Sequence, residues 1–87
     1  MIYRIEILPS AQKEIASLSG KLRRRIDGSI AALAENPRPT GCVAIKGYKS
    51  LYRIRVDDYR VIYRIRDDII LVTVAKVGHR REVYRRL

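Results

Sequence analysis

Arginine is the residue type that gives this sequence most of its chemical potential. The 87-residue chain carries 19 lysines and arginines against nine aspartates and glutamates, and only five of the 19 are lysines. Guanidinium is permanently charged and binds phosphate through paired donors, whereas the lysine ammonium is a mobile point charge. A net charge of +10 on so small a chain predicts a polyanionic partner, and nucleic acid is the commonest one. An acidic protein partner and simple solubility are the alternatives.

The sequence offers little for metal or disulfide chemistry. Cys42 is its only cysteine and His79 its only histidine, so the chain cannot build a disulfide framework or a His/Cys metal site by itself. Two Asp-Asp pairs, at 57–58 and 67–68, fall in predicted turns and suit turn chemistry better than magnesium binding. We therefore expect no metal and no cofactor.

The N-terminal half of the chain predicts one strand and two helices. Residues 2–7 alternate in the manner of a strand. Apolar residues then recur at helical spacing in two segments. The first opens at Pro9 and stops at Gly20, and the second runs from Leu22 until Pro37 ends it. The two helices are expected to form an αα-hairpin with one shared apolar face.

The C-terminal half changes to the two-residue period of strands. The predicted strands are 43–46, 51–56, 59–66 and 69–77. Two-residue turns at 57–58 and 67–68 join the last three, and the tail at 78–87 is expected to turn and then form a short basic segment or helix. The sequence thus predicts one α+β domain over 1–87, with the αα-hairpin packed on a mostly antiparallel sheet of four to five strands.

The predicted register brings arginines together on one face of the sheet. Arg55 lies opposite Arg60, and Arg53 lies opposite Ile62. Like charges directly opposite each other are destabilising, so this face costs stability unless an anion lies between the arginines. A solvated outer face, on which arginine stems cover apolar neighbours, is the alternative. The other face is the predicted core, formed by Tyr52, Ile54, Val56, Tyr59, Val61, Tyr63, Ile65, Ile70, Val72 and Val74.

Four segments of the chain carry a recognisable pattern. They are Gly47, Leu51-Tyr52-Arg53-Ile54-Arg55-Val56, Tyr59-Arg60-Val61-Ile62-Tyr63 and Val77-Gly78-His79-Arg80-Arg81-Glu82-Val83-Tyr84. Together, and with the predicted order of elements, they resemble the RelE branch of the RelE/ParE toxin superfamily over nearly the whole chain. The resemblance implies the toxin of a type II toxin–antitoxin system, an endoribonuclease that cuts mRNA on the 70S ribosome and thereby inhibits translation.

The resemblance also implies a mechanism and a set of site residues. The ribose 2′-hydroxyl attacks the adjacent phosphorus without a metal, which leaves a 2′,3′-cyclic phosphate and a 5′-hydroxyl. Arg60 would clamp the scissile phosphate, and Arg80 would act as a second clamp or stabilise the leaving oxygen. Tyr84 would stack on a base or orient the nucleophile, or else be a partly buried tail residue. Lys46 and Arg81 would help to bind RNA.

Arg53 and Arg55 depart from the family, whose members tend to carry lysines at these strand positions. Lysine can become neutral and act as a base, whereas arginine essentially cannot. Arg55 is therefore expected to contact phosphate or to stabilise charge. Histidine is the side chain that ordinarily titrates near neutrality, so His79 is either the base or a polar loop residue, and the identity of the base stays open.

The resemblance further implies a cognate acidic antitoxin as the protein partner. We expect a cytoplasmic protein with no membrane span and no secretory signal, since no apolar run or signal pattern is present. Two other functions on the same fold stay open: a ParE-like gyrase poison, and a non-catalytic module that only grips RNA or the ribosome.

Overall fold

A computed structural model describes residues 2–80, which form two helices and a five-stranded sheet. The elements are β1 (Arg4–Ile7), α1 (Pro9–Ala16), α2 (Gly20–Ala32), β2 (Val43–Ala44), β3 (Leu51–Val56), β4 (Tyr59–Arg66) and β5 (Leu71–His79). The strand order is β1-β5-β4-β3-β2, in which only the β1–β5 pair is parallel. The predicted α+β fold, with an αα-hairpin on a mostly antiparallel sheet, is confirmed. No helix within residues 2–80 is long and apolar enough to cross a membrane.

The two helices lie close to their predicted positions, but Gly20 has the opposite role from the one predicted. Pro9 opens α1, as expected of a residue that has no N–H to satisfy. The helix ends earlier, at Ala16, where a tight turn follows in which the Leu18 N–H donates to the Ile15 carbonyl over 3.1 Å. Gly20 is the first residue of α2 and not the stop of α1, so the prediction for this glycine is wrong.

One continuous core joins the helices to the sheet. Ala11 and Ile15 of α1, together with Ile26 and Ile30 of α2, are buried against the predicted core face. The buried members from the sheet are Ile54, Val56, Val61, Tyr63, Ile65, Val72, Val74 and Val77. The alternation in β3 and β4 therefore assigns one face to the core and the other to a separate surface.

The β3–β4 hairpin has the predicted register. Val56 pairs with Tyr59, Arg55 with Arg60 and Arg53 with Ile62. The two-residue turn is made possible by Asp57, whose φ of 55° lies in the left-handed region that aspartate tolerates better than most residues.

The β4–β5 connection differs from the prediction, because four residues, 67–70, separate the strands. The Ile70 carbonyl accepts the Arg4 N–H of β1 over 2.9 Å, and Ile70 has a φ of 53°. Ile70 is held there by β1 and takes no part in the core cluster. The predictions that residues 67–68 form a two-residue turn and that Ile70 lies in the core are therefore wrong.

The far end of β5 also departs from the prediction. Gly78 and His79 continue the strand and pair with Arg60 and Tyr59, so the predicted turn at Gly78 is wrong. The cause is that β4 itself extends to Tyr59 and supplies ladder partners for both residues. Residues 81–87, on which the predicted basic segment or helix falls, lie outside the described part of the chain.

Candidate active site

The arginine face is the outer surface of β3 and β4, opposite the core. Its members are Arg53, Arg55, Arg60, Arg64 and Arg66. Arg60 is at its centre, paired with Arg55 on one neighbouring strand and with Gly78 on the other. Because glycine has no side chain, only Arg55 flanks Arg60 across the ladder, and the two carry the same charge. The like-charge pair predicted from the sequence is therefore present.

Arg60 has an unusual hydrogen-bonding state. Its side chain is half-buried, and its Nη1 atom is buried without a hydrogen-bond partner among residues 2–80. A buried charged donor without a partner is costly, since the group has lost water and gained nothing in return. Arg55 is exposed, and its Nε donates to the Asp57 carbonyl over 3.0 Å, which leaves its two Nη atoms as the remaining donors. The pair thus presents guanidinium donors on one small surface.

At the other end of β4, the arginines have hydrogen-bond partners within the protein. Arg64 donates from Nη1 to the Lys49 carbonyl over 3.0 Å. Arg66 forms two hydrogen bonds with the carboxylate of Asp68, of 3.1 and 2.9 Å. That contact raises the pKa of Arg66 and lowers the pKa of Asp68. Protein groups therefore occupy donors of both arginines here, in contrast to Nη1 of Arg60.

A small apolar cluster supports the arginine face from within. Ile62 is fully buried although it lies on the outer side of β4, and Leu51 beside it is 5% exposed. Ile45 packs against both from the segment before β3. Leu51 and Ile62 thus form a rigid apolar floor between the arginines, and a rigid floor fixes where the guanidinium groups stand.

The remaining predicted site residues fall in different places. His79 pairs with Tyr59 across the ladder, on the side of the sheet that faces the core. The two rings meet edge to face, with 5.7 Å between their centroids. The exposed Arg80 follows, and its N–H donates to the Asp58 carbonyl over 2.8 Å. Arg80 lies one residue beyond the end of β5, next to the β3–β4 turn. Lys46 is exposed in the segment after β2.

The structure thus brings Arg53, Arg55 and Arg60 to one side of the sheet and leaves His79 on the other, with Arg80 just beyond the end of β5. Tyr84 and Arg81 lie outside the described residues. Within residues 2–80, no group of three or more His, Cys, Asp or Glu side chains is placed to hold a metal ion.

A cluster of polar contacts around Arg38 was not predicted from the sequence. Arg38 donates from both Nη atoms to Asp67, with distances of 2.8 and 3.3 Å, and its guanidinium lies 5.2 Å from the ring centroid of Tyr52. Tyr3 donates to the same carboxylate over 2.6 Å. Arg38 and Tyr3 together lower the pKa of Asp67. The partners stand 29 and 64 residues from Asp67 along the chain, and no local pattern links them.

Comparisons with known proteins agree with this architecture. A family model described as the ParE toxin of the type II toxin–antitoxin system, parDE, matches residues 5–84. Toxin RelG of Mycobacterium tuberculosis is 25% identical over 87 residues, which cover 99% of this chain and 100% of RelG.

Solved structures are similar along most of the chain. The archaeal RelE–RelB complex from Pyrococcus horikoshii superposes with a TM-score of 0.82 at 29% identity, over 92% of this chain and 97% of that one. RelE in the intact Escherichia coli RelBE toxin–antitoxin complex gives a TM-score of 0.78 at 25% identity, over 88% of this chain and 95% of that one.

Proposed function

The chain belongs to the ParE toxin family of type II toxin–antitoxin systems, and from this premise we propose that it cuts mRNA on the translating ribosome. The observation that carries the proposal is the Arg55–Arg60 pair, in which Nη1 of Arg60 is buried without a partner among residues 2–80. An anion between the two guanidinium groups would remove both the like-charge repulsion and the unsatisfied donor. The phosphodiester of RNA supplies such an anion.

The proposed reaction is transesterification at one phosphodiester. The 2′-oxygen forms a bond to phosphorus as the bond from phosphorus to the 5′-oxygen breaks. The proton of the 2′-hydroxyl passes to a base, and the leaving 5′-oxygen gains a proton. The products are a 2′,3′-cyclic phosphate and a 5′-hydroxyl. Negative charge accumulates on the phosphorane oxygens, and fixed positive donors stabilise it there.

Arg60 is the proposed clamp on those oxygens, and Arg55 adds its two Nη donors from across the ladder. Arg53 lies on the same face of β3 and extends the positive surface along the RNA backbone. Arg80 is proposed to stabilise the leaving 5′-oxygen, and Tyr84 to orient the attacked nucleotide. Because the guanidinium groups are permanently charged, the arginines can stabilise negative charge on the phosphorane but cannot accept the proton of the 2′-hydroxyl.

The base is proposed to be a group other than His79. The ring of His79 packs against Tyr59 on the core-facing side, with the sheet between it and the arginine face. A general base must come within hydrogen-bond reach of the hydroxyl that it deprotonates. The remaining candidates for the base are Tyr84 as a phenolate and a group on the ribosome.

The proposed protein partner is a cognate acidic antitoxin. RelE is bound to RelB in the similar structures from Pyrococcus horikoshii and Escherichia coli. The net charge of +10 on this chain favours an acidic segment that neutralises the arginine face, and such charge complementarity would speed association.

Gyrase poisoning is the second candidate, because the matching family model is named for ParE. Incubation with translating ribosomes, followed by mapping of mRNA ends, separates the two. The proposal predicts cuts in register with codons, a cyclic phosphate on the new 3′ ends, and cleavage slowed by at least roughly 10²-fold in Arg60→Ala. Intact mRNA together with accumulated gyrase–DNA cleavage complexes would assign the chain to the other activity. Binding to ribosomes without any cleavage would leave only a binding module.

A further inference from the structure

We propose that a groove beside the arginine face binds one nucleotide that flanks the scissile phosphate. The inference rests on the proposed function, and it depends on Tyr48 and Lys13, to which that function assigns no role. The groove has a volume of about 620 Å³ and opens where the first turns of α1 approach the outer side of β3, β4 and β5. Ligand sites typically enclose about 300–1,000 Å³, so the groove is large enough for one nucleotide.

The groove owes its shape to a bulge in β5 and to the position of α1. Tyr63 pairs with Val74 and Ile62 with Lys76, so Ala75 is an extra residue between the two pairs. Beyond β1, the strand edge of β5 is covered by α1, whose Glu14 accepts the Val77 N–H through Oε1 over 3.0 Å. Helix and bulge together form one wall of the groove.

The loop before β3 forms the opposite wall and holds Tyr48 at the mouth. Gly47 has a φ of 87° and Ser50 a φ of 60°. The left-handed conformation at Gly47 is costly for residues that have a Cβ. The Ile45 N–H donates to the Leu51 carbonyl over 2.8 Å and closes the loop. The side chain of Tyr48 is thereby placed on the rim, 46% exposed, where a flat ligand can reach it.

The charges of the groove favour an anion. Among the described residues that line it, Glu14 is the only acidic one, and both of its carboxylate oxygens are engaged, one by the Val77 N–H and the other by Lys76 Nζ at 3.5 Å. Lys13 and Arg64 then leave the lining with an excess of positive charge. An aromatic ring beside two cations is the combination that binds single-stranded nucleic acid, through base stacking and phosphate contact.

The groove is continuous with the proposed active site. Arg64 belongs to the arginine face and also lines the groove, and Leu51 is part of the apolar floor beneath both. Arg64 lies four residues from Arg60 along β4, which at ~3.3 Å per residue is roughly 13 Å. One RNA strand that crosses the arginine face can therefore reach both Arg60 and the groove that Tyr48 borders.

The test measures binding of a short single-stranded RNA whose attacking 2′-hydroxyl is replaced by hydrogen, so that cleavage plays no part. We expect Tyr48→Ala to weaken binding roughly tenfold, as for a lost stacking platform, and Tyr48→Phe to stay within about twofold of wild type. Lys13→Ala should weaken binding, whereas Lys21→Ala, an equal loss of charge on the exposed side of α2, should do so less. Moving one abasic site along the RNA should identify a single position at which Tyr48→Ala no longer has an effect.

Three outcomes would overturn the inference. The first is a Tyr48→Ala variant that binds RNA as wild type does. The second is a loss that is the same for every abasic position. The third is a Tyr48→Ala variant that binds antitoxin more weakly and RNA normally, which would make the groove a protein-docking site. If the abasic series identifies one base and ribosomes still show no cleavage, the proposed function fails, and the groove remains an RNA-binding site without a scissile phosphate beside it.

Discussion

Arg38, which contacts the turn after β4, and Arg60, near the start of β4, differ in the partners of their guanidinium groups. Arg38 is surrounded by partners from its own chain: both Nη atoms meet Asp67, Nε meets the Tyr52 hydroxyl at 3.3 Å, and the guanidinium lies over the Tyr52 ring. Arg60 faces another arginine, and its buried Nη1 has no partner within residues 2–80. The first arginine ties the loop after α2 to the β4–β5 turn. The second has a buried donor for which the described part of the chain supplies no partner.

This difference distinguishes the structural charge of Arg38 from the charge of Arg60, for which we propose a function. A guanidinium that meets a carboxylate in two hydrogen bonds is satisfied, and an anion gains little by approaching it. The guanidinium of Arg60 has a buried, unpaired donor and lies opposite a like charge. Binding of an external anion would therefore lower its free energy. The predictions below test the Arg60 end for function and the Arg38 end for stability.

The largest effect should come from Arg60→Ala on cleavage. Loss of one preorganised donor at a developing oxyanion lowers rates by roughly 10²–10³-fold, and we expect at least that in single-turnover cleavage on programmed ribosomes. Arg24→Ala, which removes an equal charge from the exposed side of α2, is the control and should cut within about twofold of wild type. Equal losses in both variants would mean that net charge, and not the site, drives the reaction.

The next effect concerns the residues after Gly78. Arg80→Ala should slow cleavage by roughly 10²-fold, whereas His79→Ala should cost less than about tenfold and leave the shape of the pH–rate profile unchanged. A larger loss in His79→Ala would overturn the placement of its ring away from the reaction.

At Tyr84, phenylalanine should reduce the cleavage rate less than alanine does, because it retains the ring for stacking.

At the structural end of the sheet, Tyr63→Phe should destabilise the fold and spare the chemistry. The buried Tyr63 hydroxyl donates to the Pro37 carbonyl over 2.7 Å, and burial raises the pKa of this phenol, which keeps it protonated. Phenylalanine leaves that carbonyl unsatisfied, at about 1–3 kcal/mol of unfolding free energy. Urea unfolding measures the loss. A variant as stable as wild type would show that water replaces the lost donor.

A smaller effect is expected in acid. Arg38 and Tyr3 hold the pKa of Asp67 below its ordinary value, so ionised Asp67 stabilises the folded state above the unfolded pKa of about 3.9. That contribution is lost as the pH falls through the lower folded pKa. Asp67→Asn should therefore reduce stability at neutral pH and flatten the fall of the thermal midpoint below pH ~4. An unchanged acid profile would show that the Asp67 contacts contribute nothing measurable.

Alternation explains why the sequence predicted the contacts at the Arg60 end of the sheet better than those at the Arg38 end. The register of β3 and β4 follows from a two-residue period and a turn at Asp57, so the pairing of Arg55 with Arg60 was predictable. The superfamily was predicted separately, from the resemblance of four segments of the sequence, and the family model agrees with it. The contact between Arg38 and Asp67 depends on where a loop returns in space, and no periodicity records that. The bulge at Ala75 is likewise invisible, since a run of apolar residues fits either register.

The central claim, that Arg60 serves an external anion and not the fold, is tested most directly by the urea unfolding free energy of Arg60→Ala against wild type in the absence of RNA and antitoxin. The account predicts a variant that is as stable as wild type or more stable by a few tenths of a kcal/mol, because a like-charge cross-strand pair is removed. A loss of more than about 1 kcal/mol would contradict it and would make Arg60 a structural residue.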